Sequence, residues 1–213
     1  MALEFSLPRF YPILDTAALA AQACPVLNAA RTLLEAGVKI LQYRHKENWT
    51  PTEYDEAAQL KVLCDQAGAL FVLNDRADYS HLLDAALHLG QNDLPPVAAR
   101  KVVRQSVIGF STHNRRQLIR ANDEPVEYLS LGPIFVTASK LKPDPVLGVD
   151  GLRALRPLSK KPVVAIGGIK LENAPEVLAA GADSVAVITA ILPGICDRSS
   201  IKQRASEWLK ATA

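Results

Sequence analysis

Short apolar segments alternate with longer segments of mixed polarity along most of the chain, and this pattern predicts repeated strand–helix units. Several apolar segments lack a polar–apolar alternation, which is typical of parallel strands that are buried on both faces. The predicted strands cover residues 11–15, 40–44, 70–75, 86–90, 106–111, 128–135, 162–168 and 184–191. A short helix is predicted between the third and fourth strands. Further helices are predicted over residues 25–36, from 50 or 52 to 67, and over 95–103, 114–121, 150–158, 171–180 and 200–209.

Eight strands, each followed by a helix or a helix-sized segment, indicate a compact (β/α)₈ barrel, the TIM-barrel architecture of the α/β class. A doubly wound open sheet is the alternative, and it would typically carry a glycine-rich fingerprint at its first turn. The first turn here, Asp15-Thr16-Ala17, contains no glycine, which favours the barrel. We therefore predict a single TIM-barrel domain over residues 1–213, with the active site at the carboxyl-terminal ends of the strands.

Composition and charge narrow the classes of function. Hydrophobic residues make up 49% of the chain, which is ample for a large core, and the net charge is +2. Nucleic-acid binding generally needs a clustered basic surface, so this charge balance argues against a nucleic-acid partner. No apolar run approaches the length of a membrane span, so a membrane partner is not expected either.

The cysteines and the first residues bear on localisation. Cys24, Cys64 and Cys196 show neither paired spacing nor a Cys-His cluster, and the opening sequence MALEFSLPRF has neither a charged leader nor a long apolar region. An odd number of cysteines without a signal peptide predicts reduced thiols in a cytoplasmic protein.

Two carboxylates follow neighbouring strands in the stretch from residue 70 to residue 95. Asn74 and Asp75 end one predicted strand, and Gln91 and Asp93 follow the next. Because parallel strands end at the same edge of a sheet, these side chains should lie close together. Mg²⁺ prefers one or two carboxylates and leaves positions for substrate phosphates, so we predict a magnesium site. The alternative is that each aspartate caps the helix that follows it.

Basic side chains end the second strand. Strand alternation sends Gln42, Arg44 and Lys46 to one side and His45 to the other. An arginine offers phosphate a planar fork and a lysine offers a compact charge, so the three residues form a candidate phosphate site. A solvated strand exit is the alternative.

The fifth strand ends in Ser111-Thr112-His113. A hydroxyl at the mouth of a barrel can bind a phosphate oxygen, whereas a simple cap for the helix from Asn114 onward is the alternative. His113 is a candidate acid or base. His88, within a strand, and His81, on a helix, are expected to be structural.

Three further groups of residues could hold an anion. Thr137, Ser139 and Lys140 lie in a long polar loop, residues 136–147, which suits a lid over a site. Gly167-Gly168 follows the seventh strand and precedes a helix predicted to start at residue 171, so backbone N–H groups and the helix terminus could face a phosphate. Ile188 and Thr189 lie on the eighth strand.

The motifs taken together resemble the thiamine phosphate synthase family. The matching segments, in the family's order, are QYRHK (42–46), VLND (72–75), HLGQNDLP (88–95), GFSTH (109–113), LGPIFVTASK (131–140), AIGGI (165–169) and GADSVAVITAI (181–191). The resemblance implies a transferase of thiamine biosynthesis that joins hydroxymethylpyrimidine diphosphate to hydroxyethylthiazole phosphate, with Mg²⁺ as cofactor. It implies ionisation of the pyrimidine C–O bond to a carbocation, which the thiazole nitrogen captures. It also implies small phosphorylated substrates and a homodimer.

The resemblance assigns roles to individual residues. Gln42, Arg44, Lys46 and Asn74 are similar to the contacts of the pyrimidine diphosphate, and Asp75 and Asp93 to the Mg²⁺ ligands. Ser111 and Lys140 would hold the diphosphate leaving group; with Arg44 and Lys46 they form the expected catalytic set. Thr137, Ser139, Gly168, Ile188 and Thr189 would hold the thiazole phosphate.

The chain departs from the family's pattern at several positions. His45 stands where glutamate is usual, Val136 where proline is usual, Ser139 where threonine is common and Ala86 where glycine is common. The segment 141–148 is also less typical. These departures bear on substrate affinity more than on the type of reaction.

Three other functions compete with the synthase. A thiazole tautomerase resembles it on the same barrel but lacks most of the diphosphate and Mg²⁺ residues, whereas this chain retains Arg44, Lys46, Asp75, Asp93 and Lys140. A regulator that binds thiamine precursors without turnover would keep the pocket, and intact metal ligands argue against it. A phosphate-binding barrel isomerase would not need two metal carboxylates.

Overall fold

The eight strands of the structure, a computed structural model that describes residues 6–137 and 144–213, close into one parallel barrel. Each strand pairs in parallel with its neighbours in chain order, and β1 closes the barrel against β8. The strands are β1 Phe10–Asp15, β2 Ile40–Arg44, β3 Leu70–Asn74, β4 Ala86–Leu89, β5 Ile108–Thr112, β6 Tyr128–Leu131, β7 Val163–Ile166 and β8 Ser184–Val187. The (β/α)₈ architecture predicted from the sequence is confirmed.

Helices follow the strands and cover the outside of the barrel. They are α1 Thr16–Ala21, α2 Val26–Glu35, α3 Pro51–Ala67, α4 Ala77–Leu82, α5 Pro96–Val102, α6 Arg115–Ala121, α7 Gly148–Leu155, α8 Ala174–Ala179 and α9 Arg198–Ala211. Short 3₁₀ turns lie at Arg156–Leu158 and Thr189–Ile191. Among the described residues, no helix combines the length and the apolar character that crossing a membrane requires.

Two apolar layers hold the barrel together, because successive side chains of a strand point to opposite faces. In β1, Tyr11 and Ile13 point into the barrel, whereas Phe10 and Leu14 pack against the helices. The ring of Phe10 stacks on that of Trp208 from α9, with centroids 5.3 Å apart. The barrel is therefore a packed core with its polar openings at the strand ends.

Several boundaries differ from the sequence-based predictions. Residues 16–21, which lack a recognisable apolar face, form α1, and the Asp15 side chain caps this helix by accepting from the Ala18 N–H at 3.0 Å. β6 ends at Leu131 because Gly132-Pro133 turns the chain there, and β8 ends at Val187 before a 3₁₀ turn. The helix predicted from residue 171 begins only at Ala174.

The prediction of three reduced thiols is wrong for two of them. Cys24, after α1, and Cys196, before α9, form a disulfide with their Cα atoms 5.4 Å apart. They are separated by 172 residues in the sequence, and the closure of the barrel brings them together. Cys64 is free and buried, and burial raises the pKa of its thiol to about 12.

Candidate active site

Asp75 and Asp93 meet at the mouth of the barrel, as their positions after β3 and β4 predict. Asn74 is in register with His88, and the Asp75 N–H donates to the His88 carbonyl at 2.9 Å. The two carboxyl groups lie within hydrogen-bonding reach of each other. Neither caps a helix, since α4 is preceded by Arg76 and α5 by Pro95; the Asp93 carboxylate instead accepts from the Gly90 N–H at 2.7 Å. The capping alternative is therefore wrong.

The electrostatics of this pair favour a cation. Burial, together with the neighbouring Asp93 carboxyl, raises the pKa of Asp75 to about 6 despite the opposing effect of Lys46. The pKa of Asp93 is also affected by burial, which raises it, but hydrogen bonds from Asp75 and the Gly90 N–H hold it below its ordinary value. Two carboxylates that meet in a partly buried site repel each other when both are ionised, and a divalent cation would relieve this repulsion.

The backbone at Asp75 adopts the left-handed conformation, with φ 67°. An aspartate tolerates this region better than most residues, but the conformation is still uncommon outside glycine. Such backbone outliers cluster at functional sites, where the surrounding structure holds them in place. Ala23 and Asp84 share this conformation away from the site, so the backbone of Asp75 supports its assignment only together with its charge and position.

Ion pairs hold the basic side chains of β2 at this same mouth. The Arg44 guanidinium binds the carboxylate of Asp15, and the Lys46 ammonium binds that of Asp75. Gln42 is buried inside the barrel, where its amide nitrogen donates to the Tyr11 hydroxyl at 2.8 Å. All three side chains point to one side, as strand alternation predicts, and they are not solvated without partners.

His45 points away from this group, as predicted. Its Nδ1 lies 2.9 Å from the Thr16 hydroxyl, and its ring packs edge-on against Trp49 at 5.7 Å between centroids. The histidine found in place of the family's usual glutamate is therefore accommodated by β1–α1 and the loop after β2.

The two amides near the carboxylates behave differently. Asn74 is buried, and its Nδ2 donor has no hydrogen-bond partner within the part of the chain that the structure describes. An unpaired buried donor is costly, so this nitrogen is well suited to a ligand acceptor. Gln91, expected beside the metal, instead donates from Nε2 to the Ser111 carbonyl at 2.6 Å and ties the β4 loop to β5.

Ser111 lies at the end of β5 and faces the interior of the barrel. Its hydroxyl lies 2.9 Å from Nε2 of His88 and 3.2 Å from the hydroxyl of Ser130. Ser111 does not cap α6, because the side chain of Asn114 accepts from the Gln117 N–H and fills that position. The alternative that this segment serves only as a helix cap is therefore wrong for Ser111.

His88 and His113 differ in their surroundings. His88 is buried inside the barrel, as expected of a structural histidine, and burial lowers its pKa to about 4. His113 sits outside the end of β5, where its Nδ1 lies 2.7 Å from the Gly132 carbonyl and 3.6 Å from the Asp144 carboxylate. The ring therefore joins β5 to the two ends of the loop after β6.

The rim between β6 and β7 depends on close backbone packing. Phe135 N–H donates to the Gly167 carbonyl at 2.9 Å, and Gly168 adopts φ +65°. A Cβ on Gly168 would lie 2.7 Å from the Cβ of Phe135 and would overlap the carbonyl oxygen of Val136. The missing side chain is therefore needed for loop packing as well as for any ligand. The short helix α8 begins six residues after Gly168, so its terminus does not directly follow the glycines.

The remaining predicted residues lie around this rim. Thr137 is half-buried where the described chain breaks off, whereas Ser139 and Lys140 lie outside the described residues. Ile188 is half-buried and packs on the barrel interior, and Thr189 is exposed at the start of the 3₁₀ turn after β8.

Sequence reasoning missed several residues that support the site. Asp15 was noted only as a polar strand end, yet it orients Arg44. Tyr11, Tyr128 and Ser130 were treated as strand residues, yet they carry hydroxyls into the barrel beside Gln42, His88 and Ser111. Polar atoms at inward positions of apolar strands were the available signal.

The described residues contain no cluster of three or more histidine, cysteine, aspartate or glutamate side chains that could enclose a metal. The site offers two carboxylates and several donors suited to anions. This combination defines a phosphate-handling enzyme on a (β/α)₈ barrel, with its ligands at the carboxyl-terminal ends of the strands.

Comparison with known proteins makes the assignment more specific. The family model described as thiamine monophosphate synthase matches residues 10–191, and the chain belongs to this family. A thiamine-phosphate synthase of Koribacter versatilis (strain Ellin345) is 44% identical over 99% of this chain and 98% of its own length. One from Caldicellulosiruptor saccharolyticus is 38% identical over 78% of this chain and 76% of its own length.

Solved structures agree with this result. A thiamine phosphate pyrophosphorylase from Pyrococcus furiosus superposes with a TM-score of 0.83 at 31% identity, covering 96% of this chain and 95% of its own. A KDPGal structure superposes with a TM-score of 0.71 at 17% identity, over 99% of this chain and 97% of its own, and shows the fold alone.

Proposed function

We propose that this chain joins hydroxymethylpyrimidine diphosphate to hydroxyethylthiazole phosphate in a Mg²⁺-dependent, dissociative reaction. Its family makes it a transferase that forms thiamine phosphate. The observation that carries the metal and mechanism is the Asp75–Asp93 pair, which brings two carboxylates within hydrogen-bonding reach beside the basic side chains of β2.

The residues present fit a magnesium ion. Asp75 and Asp93 would hold it through their carboxylates, which lie beside each other at the mouth of the barrel. When bound, Mg²⁺ would neutralise charge on the diphosphate and so make it a better leaving group. Its remaining positions would be taken by water and phosphate oxygens, as Mg²⁺ prefers.

The chain's own donors would bind the pyrimidine diphosphate. Arg44 is held in place by Asp15, and Lys46 needs only to leave Asp75 to reach an anion at the same mouth. The unpaired Nδ2 of Asn74 would gain an acceptor on binding. Ser111 would donate to the diphosphate, with Lys140 from the loop after β6 as a second cation.

The thiazole phosphate would bind on the opposite rim. Thr137, Ser139 and the backbone of Gly168 would hold its phosphate, and Ile188 and Thr189 would complete that side. This arrangement would aim the thiazole nitrogen at the pyrimidine carbon, and positioning of this kind supplies a large part of the rate. Ionic side chains would stabilise the departing diphosphate as its C–O bond breaks.

The named relatives favour the synthase over the alternatives. The Koribacter relative matches over nearly the whole chain and bears the synthase name, and both predicted metal carboxylates reach one site here. We also propose a cytoplasmic homodimer that binds neither nucleic acid nor membrane. Light scattering would test the dimer, and cell fractionation the location.

The decisive experiment supplies both substrates with and without Mg²⁺ and measures thiamine phosphate and diphosphate by chromatography. We expect the two products in equal amounts and only when the metal is present. Metal-independent turnover would contradict the metal site. Absence of thiamine phosphate with every substrate pair would contradict the synthase.

A further inference from the structure

A chain of hydrogen bonds crosses the barrel interior from Gln42 to Ser111. Gln42 Nε2 lies 2.8 Å from the Tyr11 hydroxyl, which lies 2.9 Å from the Tyr128 hydroxyl. Tyr128 lies 3.0 Å from Nδ1 of His88, whose Nε2 lies 2.9 Å from the hydroxyl of Ser111. Apart from Ser111, these side chains are buried, so water does not interrupt the chain.

Gln42 determines which group donates in each of these hydrogen bonds. The amide nitrogen of Gln42 can only donate, so the Tyr11 oxygen accepts there. Among the described residues, the Tyr128 hydroxyl is the one acceptor within hydrogen-bonding distance of the Tyr11 proton, so that proton goes to Tyr128. Tyr128 also has one proton, and Nδ1 of His88, 3.0 Å away, is placed to accept it. An imidazole that accepts at Nδ1 carries its proton at Nε2, and that nitrogen donates to Ser111.

Ser111, the last member of this chain of hydrogen bonds, has one proton left to donate. The Ser111 oxygen accepts from His88 Nε2–H and also from the Ser130 hydroxyl at 3.2 Å. A serine hydroxyl has two lone pairs and one proton, so both acceptor positions are filled from inside the barrel. The remaining Ser111 proton therefore points towards the mouth.

We propose that the Gln42–Tyr11–Tyr128 chain holds His88 as the Nε2–H tautomer and thereby makes Ser111 an obligate donor to an anionic substrate oxygen. Tyr11, Tyr128 and His88 are positioning residues, since they act through Ser111. The inference rests on the proposed function for the identity of that anion, the diphosphate. It also links the two ends of one substrate, because Gln42 and Ser111 are both predicted to contact the pyrimidine diphosphate.

This direction distinguishes the His88–Ser111 pair from a nucleophile and its base. A serine nucleophile needs an unprotonated imidazole nitrogen to accept its proton. Here the nitrogen facing Ser111 carries a proton, so the pair cannot activate the hydroxyl. It can only present the hydroxyl as a donor, which suits stabilisation of developing negative charge.

The tautomer can be measured without substrate. In ¹⁵N-labelled protein, NMR separates protonated from unprotonated imidazole nitrogens, and His88→Gln identifies the His88 signals among the four histidines. We expect Nε2 protonated and Nδ1 unprotonated, and a shift of this balance in Tyr128→Phe and Tyr11→Phe. Tyr54→Phe, at a half-buried tyrosine of α3 whose ring packs against Tyr79, should leave the signals unchanged. Protonation at Nδ1 would reverse the chain and overturn the proposal.

Kinetics test the link to Ser111. We expect Tyr128→Phe to lower kcat by about tenfold, less than the loss of an entire donor, with little change in KM. In a Ser111→Ala background, the same Tyr128→Phe change should have no further effect, because residues acting as one unit are not additive. Equal effects in both backgrounds would mean that Tyr128 does not act through Ser111. Thermal unfolding of each variant checks that the fold is intact.

These outcomes separate the inference from the proposed function. If no thiamine phosphate forms, the proposed function fails while the NMR result still decides the direction of the chain. If thiamine phosphate forms and Nδ1 carries the proton, the function stands and the inference fails.

Discussion

The Lys46 ammonium binds the Asp75 carboxylate. A residue predicted to bind the diphosphate is therefore in direct contact with a residue predicted to bind the metal. The ion pair places a positive charge where the carboxylates of Asp75 and Asp93 repel each other. A metal–diphosphate complex would replace this contact with two better ones, Mg²⁺ for the carboxylates and phosphate for the ammonium. The first predictions follow from this exchange.

Asp93→Asn should separate activity from stability. We expect turnover at limiting Mg²⁺ to fall by about two to three orders of magnitude, because a charged ligand beside the diphosphate is lost. The variant should keep a single cooperative thermal transition, which would show that the fold is intact. Asp150→Asn, at a fully exposed carboxylate, is the matched control and should change neither. Wild-type turnover in Asp93→Asn would refute the metal assignment.

The raised pKa of Asp75 predicts a pH dependence of stability. The folded pKa, about 6, lies above the ordinary value of 3.8, so folding favours the protonated form. This contribution is complete below about pH 4 and is lost as pH rises through 6. Asp75→Asn, which mimics the protonated acid, should therefore gain thermal stability over metal-free wild type as pH rises from 4 to 7. A constant difference across that range would mean that Asp75 is not perturbed.

Added Mg²⁺ should act in the opposite sense over the same range. Because the metal needs ionised ligands, its stabilising effect on wild type should grow as pH rises through 6 and should be absent in Asp75→Asn.

Gly168 and Gly194 offer a matched pair of substitutions. Gly168→Ala should destabilise the protein by about 1–3 kcal/mol, because an alanine in the left-handed region is strained and its Cβ would displace the loop at Phe135 and Val136. It should also raise KM for the thiazole phosphate more than for the pyrimidine diphosphate. Gly194→Ala meets open space at an ordinary φ and should do neither. A stable Gly168→Ala with unchanged KM would remove this glycine from the site.

Shortening the chain within residues 141–146 should change product partitioning. The two ends of the loop around this segment are held together, because Leu147 N–H and Gly148 N–H donate to the carbonyls of Pro133 and Ile134. A shorter loop should admit water, which would capture the proposed carbocation and give the pyrimidine alcohol. We expect a higher ratio of this alcohol to thiamine phosphate by chromatography. Replacing the segment with glycine and serine at constant length is the control for loop sequence. If the shortened loop instead lowers the total rate and leaves the product ratio unchanged, the loop does not shield the intermediate.

The Cys24–Cys196 disulfide should contribute to stability in oxidised protein. Because it closes a loop of 172 residues, Cys196→Ser should cost about 3–5 kcal/mol of unfolding free energy. Dithiothreitol should lower the melting temperature of wild type but not of Cys196→Ser. Cys64, buried with a raised thiol pKa, should not react with a thiol reagent until the protein unfolds. Equal effects of dithiothreitol on both proteins would argue against the disulfide.

Local patterns were sufficient to predict most of the fold. The β2 boundaries at Ile40 and Arg44 match the prediction, because an apolar run and its polar exit are both local features. The helix α3 is likewise marked by Thr50 and Glu53 at its start and by Gly68 in the left-handed conformation at its end. In contrast, α1 was missed because its cap, Asp15, belongs to the preceding strand.

The sequence by itself determined the order of the βα units and the residue types at each strand end, including Asp75 and Asp93. Only the tertiary structure decided which of these groups bind one another: Arg44 with Asp15, Lys46 with Asp75, and Cys24 with Cys196. Pairings of this kind depend on distances set by closing the barrel, and residues far apart in sequence carry no local signal of them. The proposed direction of the hydrogen bonds from Gln42 to Ser111 has the same origin, since each of these bonds joins residues of two different strands.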